Sequence, residues 1–330
     1  MIPVRLSGEE FAGVLGAGEI HERMVASGRP VVVVDGDDLP DALAERSMES
    51  LQTLAAVVVG AVGDPTDRTP QWADVVVGRE SQDLESVLET VGQNTMASTA
   101  LAVLLRTGQG RSVPGGLVAE STAYGLLQGG PEFGRWRARN PARVRPKESG
   151  AVVEVSRQES ELSITLDRPH VLNAFNAQMR DELLAAIQVA AADPTITSVS
   201  LRGAGGSFCS GGDLDEFGSR PDPVSAHLVR LQRNVGRAMA GVADRTTVHL
   251  HGSTVGSGIE LAAFAHRVVA KHSTRISLPE VRLGLIPGAG GTVSLPRRIG
   301  RHATLLLALG LPAIDAGTAL DWGLVDELEA

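Results

Sequence analysis

The stretch GSTVGSGIELAAFA, residues 252–265, places three glycines within seven positions, followed by one acid and a run of small apolar residues. The apolar strand TTVHLHG (246–252) leads into it, and the run after it indicates the start of a helix. Glycine at such a turn lets the backbone approach a ligand or simply eases close packing. A helix start also leaves N–H groups unpaired at the positive end of its dipole. The stretch therefore predicts a site where backbone N–H groups hold an anion or a developing oxyanion.

A second glycine-rich turn lies in LRGAGGSFCSGGDLDEF (201–217), which leaves an apolar strand and reaches Asp213 before a candidate helix. Two such turns could offer one N–H each to a single carbonyl oxygen, which would stabilise an enolate or a tetrahedral anion. In ISLPEVRLGLIPGAGGT (276–292), Glu280 follows a proline in an apolar run, where the pKa of a carboxyl rises. Glu280 could instead form an ion pair with Arg282. Two carboxyls near an oxyanion site indicate general acid–base chemistry on water.

Composition sets outer limits on the class of protein. The chain has 330 residues, of which 43% are hydrophobic and 21% charged, as expected for one large domain or two small ones. A net charge of -9 and a sequence pI of about 5.4 argue against a nucleic-acid partner. A single cysteine, Cys209, allows no intrachain disulfide and fits the cytoplasm. No secretory signal is visible and apolar runs such as 54–62 are too short for a bilayer, so no membrane association is expected.

Strands and helices alternate from residue 151 onward, which predicts a parallel sheet with crossover helices. The pattern consists of a hairpin over 151–169, a helix over 176–193 capped by Asn176, a strand over 198–204, and a helix over 224–243. The first 150 residues are less regular. They predict a strand within 29–38, a helix and strand within 51–64, one or two helices within 84–108, and two helices within 117–140 that are separated at Gly129-Gly130-Pro131.

These stretches, in this order and spacing, resemble motifs of the crotonase (enoyl-CoA hydratase/isomerase) superfamily. The matching segments are RPHVLNAFN (168–176), FCSGGD (208–213), GSTVGSGIELA (252–262), SLPEVRLGLIPGAGGT (277–292) and ALDWGLVDEL (319–328). The resemblance covers residues 151–330. It implies an α/β fold, a crotonase-like spiral of ββα units with a helical cap.

The resemblance also implies the site. It gives the backbone N–H groups of Gly212 and Ser257 the role of oxyanion hole for a thioester carbonyl, with Ser257 standing where glycine is usual. It makes Glu260 and Glu280 the catalytic acids that hold a water, with Glu260 activating the water and Glu280 protonating the α-carbon. The implied substrate-binding residues are His170, Ser210, Asp213, Gly256 and Pro287. No metal is expected, and no cofactor beyond the coenzyme A of the substrate.

The predicted function is that of an enoyl-CoA hydratase-like lyase, with an acyl-CoA thioester as its partner and a homo-trimer or hexamer as its assembly. Isomerisation of an enoyl-CoA or dehydration of a hydroxyacyl-CoA is an alternative, because both acids are retained in those enzymes too. A non-catalytic acyl-CoA-binding subunit is a further alternative. Retention of Glu260 and Glu280 argues against it, because buried acids destabilise a fold that does not need them.

The order of segments departs from the family pattern. Family members continue beyond GLVDEL with helices that cover the acyl and CoA pocket, whereas this sequence ends at Ala330. Residues 83–106 and 116–141 resemble those missing helices, the second with the pattern GL..E..AY. The expected arrangement is a reduced crotonase-like remnant over 1–71, a helical cap and basic linker over 72–147, and the catalytic core over 148–330. The basic residues form a solvated face or contact the CoA phosphates: Arg135, Arg137, Arg139, Arg143, Arg145 and Lys147.

Overall fold

A small parallel sheet precedes the rest of the fold. The computed structural model describes residues 3–40, 43–65, 70–144, 148–220 and 222–329. Four parallel strands pair in chain order: β1 (Val4–Leu6), β2 (Val31–Asp35), β3 (Val57–Val62) and β4 (Val75–Gly78). Three helices accompany them: α1 (Gly8–Gly16), α2 (Ile20–Ser27) and α3 (Glu45–Gln52). Continuous valine runs such as VVVV in β2 are typical of parallel strands covered on both faces.

The two faces of this sheet enter different cores. Val32 and Val34 pack into a separate apolar cluster with Phe11 and Trp72, whereas Val31 and Val33 belong to the main core. The alternation follows from the two-residue period of a strand. Strand β4 completes this sheet by pairing with β3. Since β4 lies beyond residue 71, the sheet extends past the predicted boundary at that position.

Four helices follow over residues 82–139: α4 (Gln82–Gln93), α5 (Thr95–Arg106), α6 (Val113–Gln128) and α7 (Pro131–Arg139). The side chain of Ser112 caps α6 by accepting the N–H of Gly115. The predicted break at 129–131 is confirmed, with Pro131 as the first residue of α7, where its missing N–H carries no penalty.

The second sheet has six strands and organises the remaining residues. Its order is β13-β10-β8-β7-β6-β5, with the β5–β6 hairpin antiparallel and the other pairs parallel. Its strands are β5 (Val153–Gln158), β6 (Glu161–Leu166), β7 (Ser198–Gly203), β8 (Thr246–Leu250), β10 (Arg267–Lys271) and β13 (Glu327–Glu329). Strands β9 (Ser253–Val255), β11 (Arg275–Ser277) and β12 (Ile314–Asp315) form a small separate sheet. The predicted α/β architecture is confirmed.

Helices of this part cross between the strands. They are α8 (Ala177–Ala192), α9 (Pro223–Gln232), α10 (Val235–Gly241), α11 (Ser257–Ala262), α12 (Gly291–Leu309) and α13 (Ala316–Asp321). Asn176 caps α8 as predicted, since its side chain accepts the N–H of Met179 at 2.8 Å. None of the helices in the described ranges combines the length and apolar character that crossing a membrane requires.

Two helix predictions were wrong. The helix expected over 224–243 is divided into α9 and α10, because the side chain of Asn234 accepts the N–H of Arg237 at 2.7 Å and starts a new helix there. The candidate helix after Asp213 is a turn over residues 214–218, which ends at Gly218 with a positive φ of 72°. The chain after the first glycine-rich loop therefore continues as a turn and not as a helix.

The helices of residues 82–139 pack against the first sheet and against helices of the second half of the chain. Helix α6 contacts α9, α10 and α12, and helix α5 contacts α12 and β3. A buried ionic network joins the same parts, because Asp74 before β4 pairs with Arg106 of α5 and lies 3.5 Å from Arg301 of α12. The helices of the N-terminal half therefore lie against the later residues of the same chain.

Candidate active site

The two glycine-rich turns leave unbonded the N–H groups that the sequence predicts for an oxyanion hole. Phe175 donates to Gly211 O at 2.8 Å and Asp213 donates to Phe175 O at 2.9 Å, and this bridge passes over the N–H of Gly212. Ser257 is the first residue of α11, where an N–H has no partner within the helix. Neither N–H donates to an acceptor in the described part of the chain. Gly212 and Ser257 line the same cavity, whose volume is about 350 Å³.

Gly256 shapes the second turn. Its φ of 48° and ψ of -117° lie in a region that side-chain-bearing residues rarely adopt. A Cβ at this position would lie 2.1 Å from Oε1 of Glu280. The glycine therefore serves two purposes, since it turns the chain into α11 and leaves room for a carboxyl.

Glu260 stands one turn into α11 and is 2% exposed. Its Oε2 accepts the N–H of Ala289 at 2.7 Å and that of Gly291 at 2.9 Å, so the start of α12 holds the carboxyl in place. Burial raises the pKa of Glu260 to about 7, although these backbone N–H groups oppose the rise. At neutral pH a large fraction of this group is ionised.

Glu280 opens the 3₁₀ turn Glu280–Leu283 and is also buried. Its Oε2 has no hydrogen-bond partner, and among the described residues no ion pair joins it to Arg282, which was the alternative raised by the sequence. Burial raises the pKa of Glu280 well above its usual range, and the nearby Glu260 carboxylate raises it further. Buried polar atoms are nearly always paired, so an unpaired carboxyl oxygen in a cavity wall marks a candidate functional group.

A third carboxyl, missed by the sequence analysis, belongs to the same cluster. Glu120 on α6 accepts the N–H of Gly290 at 2.8 Å, and the N–H and hydroxyl of Thr292 at 2.9 and 2.7 Å. Burial raises the pKa of Glu120 to about 8, and the charge of Glu260 adds to the rise. Four successive N–H groups over 289–292 are thus donated alternately to Glu260 and Glu120. The pattern GL..E..AY contained this residue, but it gave no sign of the contact.

Helices α6, α9 and α10 form the opposite wall of the cavity. The ring of Tyr124 lies on Gly288, where a Cβ would come within 2.5 Å of Cδ2. The wall residues that the sequence analysis did not single out include Tyr124, Gln128, Ala226, Val229, Arg230 and Val235. The cavity is therefore bounded partly by residues from the N-terminal half.

Of the five predicted substrate-binding residues, only Asp213 is a lining residue of the cavity, and it is buried against Arg168 at 3.2 Å. His170 lies 3.3 Å from Glu148 with more than half of its side chain exposed. The hydroxyl of Ser210 donates to Val171 O at 3.3 Å. Gly256 contacts Glu280 as described above, and Pro287 lies beside Gly291. The substrate contacts of these residues stay a prediction.

The basic residues of α7 and of the segment that follows it divide between two situations. Arg137 donates to Leu214 O at 2.7 Å and lies over the ring of Trp136, so it fastens the turn over 214–218. Arg143 pairs with Asp215, while Arg135 and Arg139 are exposed. Arg145 and Lys147 lie outside the described residues. Within the described ranges, no group of three His, Cys, Asp or Glu side chains is placed to hold a metal ion.

Residues 156–330 match the family model described as enoyl-CoA hydratase/isomerase. The chain belongs to this family. It is 34% identical to 1,2-epoxyphenylacetyl-CoA isomerase and 32% identical to 2,3-dehydroadipyl-CoA hydratase, both of Escherichia coli K12, over 50% and 53% of its own length. The matched region makes up 64% of the length of that isomerase and 68% of the length of that hydratase. For another relative it makes up only 22% of that protein's length.

The fold of the present chain is similar to the crystal structure of enoyl-CoA hydratase from Thermoplasma volcanium GSS1, with a TM-score of 0.50 and 32% sequence identity. The likeness covers 55% of this chain and 72% of that one. The predicted crotonase-like fold is therefore confirmed.

Proposed function

We propose that the chain is an enoyl-CoA hydratase-like lyase that adds water across the double bond of an enoyl-CoA thioester. The observation that carries the proposal is the presence, in one cavity wall, of two buried carboxyls in unequal environments beside two unbonded N–H groups. Glu260 is fixed by two backbone donors, whereas Glu280 has one oxygen without a partner. Unequal environments separate the pKa values of two carboxyls, which suits one to act as base and the other as acid.

The N–H groups of Gly212 and Ser257 would hold the thioester oxygen. As water attacks the β-carbon, negative charge moves onto this oxygen, and fixed donors in a water-poor cavity stabilise it. Loss of one such donor raises a barrier by about 3 kcal/mol in comparable sites. Both donors are backbone groups, so Ser257 can replace the usual glycine without loss of this role.

The two carboxyls would divide the proton transfers. Glu260, with a pKa of about 7, is partly ionised at neutral pH and can accept a proton from the attacking water. Glu280, whose pKa is raised well above the usual range, stays protonated and can deliver its proton to the α-carbon. Together the two steps add one H and one OH to the double bond, and a proton exchange between the carboxyls restores the starting state.

Helices α4 to α7 would act as the cap over the acyl-CoA. Support comes from Tyr124 and Gln128, which line the cavity, and from Glu120, which bonds the start of α12. Isomerisation is the second candidate. The relative named as an isomerase is as similar to this chain as the relative named as a hydratase, and the same two carboxyls can shift a proton between carbons.

Loss of enoyl-thioester absorbance, measured with crotonyl-CoA and longer enoyl-CoAs, tests the proposal. Glu260→Gln and Glu280→Gln should each lower kcat about 10²–10⁴-fold, the range for loss of a general acid or base. Glu216→Gln is the matched control, because Glu216 also lines the cavity but only accepts the N–H of Ala177. Acyl-CoA binding without turnover in the native protein would contradict catalysis, and a shifted double bond without hydration would favour the isomerase.

A further inference from the structure

Arg230 on α9 presents an unused edge of its guanidinium in the cavity wall. Its Nε donates to Ser121 Oγ at 3.0 Å, and its Nη2 donates to Ser121 O at 3.3 Å. Ser121 Oγ lies in turn 2.8 Å from Nδ1 of His227, so Ser121 is itself held in place. Within the described ranges Nη1 donates to no acceptor. The orientation of the charge is therefore set, while part of its donor capacity is free.

This cation also lacks an ion-pair partner among the described residues. No carboxylate of the described residues lies within ion-pair distance of Arg230, whereas Arg180 and Arg233 in the same cavity share Asp181 at 2.8 and 3.3 Å. Burial lowers the pKa of Arg230, although the charges of Tyr124 and Glu120 oppose the shift.

The ring of Tyr124 lies against both Arg230 and the loop that holds Glu260. The Cζ atom of Arg230 lies 4.6 Å from the centre of this ring, and the ring also covers Gly288, the neighbour of the Ala289 that bonds Glu260. The cavity wall thus combines carboxyls and N–H donors with a fixed cation.

We propose that Arg230 binds a carboxylate at the far end of the acyl group, so that the substrate class is an enoyl-CoA thioester carrying a second, free carboxylate. The planar fork of arginine matches a carboxylate through two parallel hydrogen bonds. The inference rests on the proposed function for the reaction, but its binding component does not require turnover. A phosphate of coenzyme A is the other anion that could reach this edge.

Calorimetric titration with saturated thioesters tests the binding directly. Succinyl-, glutaryl-, adipyl- and suberyl-CoA are each compared with the plain acyl-CoA of the same chain length. At least one dicarboxylic member should bind the native protein about tenfold or more tightly than its plain partner, as expected for hydrogen bonds to a charged group. Equal or weaker binding of all four would overturn the proposal without any variant being needed.

Two variants locate the source of the preference. Arg230→Gln should abolish this preference for dicarboxylic thioesters, whereas Arg233→Gln, which alters a paired arginine of the same cavity, should keep it. The same pairs are then measured as pantetheine thioesters, which lack the nucleotide phosphates. Persistence of the preference there supports a distal carboxylate. If Arg230→Gln instead weakens plain acyl-CoA binding but not that of the pantetheine thioester, Arg230 binds a phosphate and the proposal fails. If the α,β-unsaturated counterpart of a tightly bound dicarboxylic thioester is not hydrated, the proposed reaction fails while the binding proposal stands.

Discussion

Replacing Glu120 with alanine tests whether the N-terminal half holds the active-site loop. The change removes the acceptor for the N–H groups of Gly290 and Thr292 and for the hydroxyl of Thr292. A buried donor left without a partner costs about 1–3 kcal/mol, and water entering the vacated space recovers part of that. We therefore expect Glu120→Ala to lower the free energy of unfolding by about 2–4 kcal/mol, the sum for two backbone N–H groups at the low end of that range.

The same change should lower the catalytic rate. The N–H groups that position Glu260 alternate along the chain with those that Glu120 holds, so a loop freed at Gly290 and Thr292 also displaces the donors at Ala289 and Gly291. Misplacement of a catalytic group by about 1 Å can reduce a rate by about 10²-fold. We expect a fall in kcat of about that size.

Glu132→Ala provides the matched control. Glu132 is a buried glutamate of α7 that accepts the N–H groups of Met96 and Ala97 at 2.9 and 3.0 Å, at the start of a helix but outside the loop over 288–292. Urea unfolding followed by tryptophan fluorescence should show a comparable loss of stability for both variants, and only Glu120→Ala should lose activity beyond that. A stability loss below about 1 kcal/mol for Glu120→Ala, or equal kcat values for the two variants, would refute the reasoning.

Three other perturbations follow from the same structure. The value of kcat/KM should rise with pH through about 7 as Glu260 ionises, and a pH series on Glu260→Gln should lack this rise. The free energy of unfolding should change with pH in the opposite sense, because the folded-state pKa values of Glu260 and Glu120 exceed the usual 4.5. The stability that these groups supply is present below pH 4.5 and is lost as the pH rises through about 7 to 8. Urea midpoints measured at a series of pH values would record this loss. Gly256→Ala should reduce kcat about 10²-fold by displacing Glu280, whereas Gly241→Ala, where a Cβ meets nothing within 4 Å, should keep the native rate. Asp74→Ala should destabilise the fold by about 3–5 kcal/mol in urea, because two buried guanidiniums lose their carboxylate; a loss near zero would mean that the network contributes little.

Local features of the site could be predicted from the sequence because each lies within one short segment. The glycine-rich turn before α11 and the position of Glu260 one turn later follow from residues 252–265 alone. The first sheet could be predicted only in part. Its valine runs indicate strands, but they do not indicate that β2 pairs with β3 or which face of the sheet joins the main core. The division between α9 and α10 was missed because the apolar spacing continues across Asn234, and only its cap shows the interruption.

Long-range contacts were beyond the sequence analysis for a different reason. Glu120 bonds backbone groups 170 and 172 positions further along the chain, and no periodicity within α6 encodes that meeting. The same holds for Arg230. Its interest depends on which groups surround it in the folded chain, and the local sequence does not show them. Helix α6 could be predicted from its spacing, but the groups that face it could not.

The alternation at the start of α12 explains how three buried carboxyls can share one small region. The N–H groups of residues 289 to 292 point alternately to Glu260 and Glu120, so two of the acids receive donors that the helix start would otherwise leave unpaired. These donors limit how far burial raises the two pKa values. Glu280 receives none at Oε2, and burial raises its pKa well above the usual range. The acid with the least support from the protein is therefore the one whose unpartnered oxygen is free to bond a water or a substrate, which is why the proton donor is assigned to Glu280 rather than to either of the carboxyls held by α12.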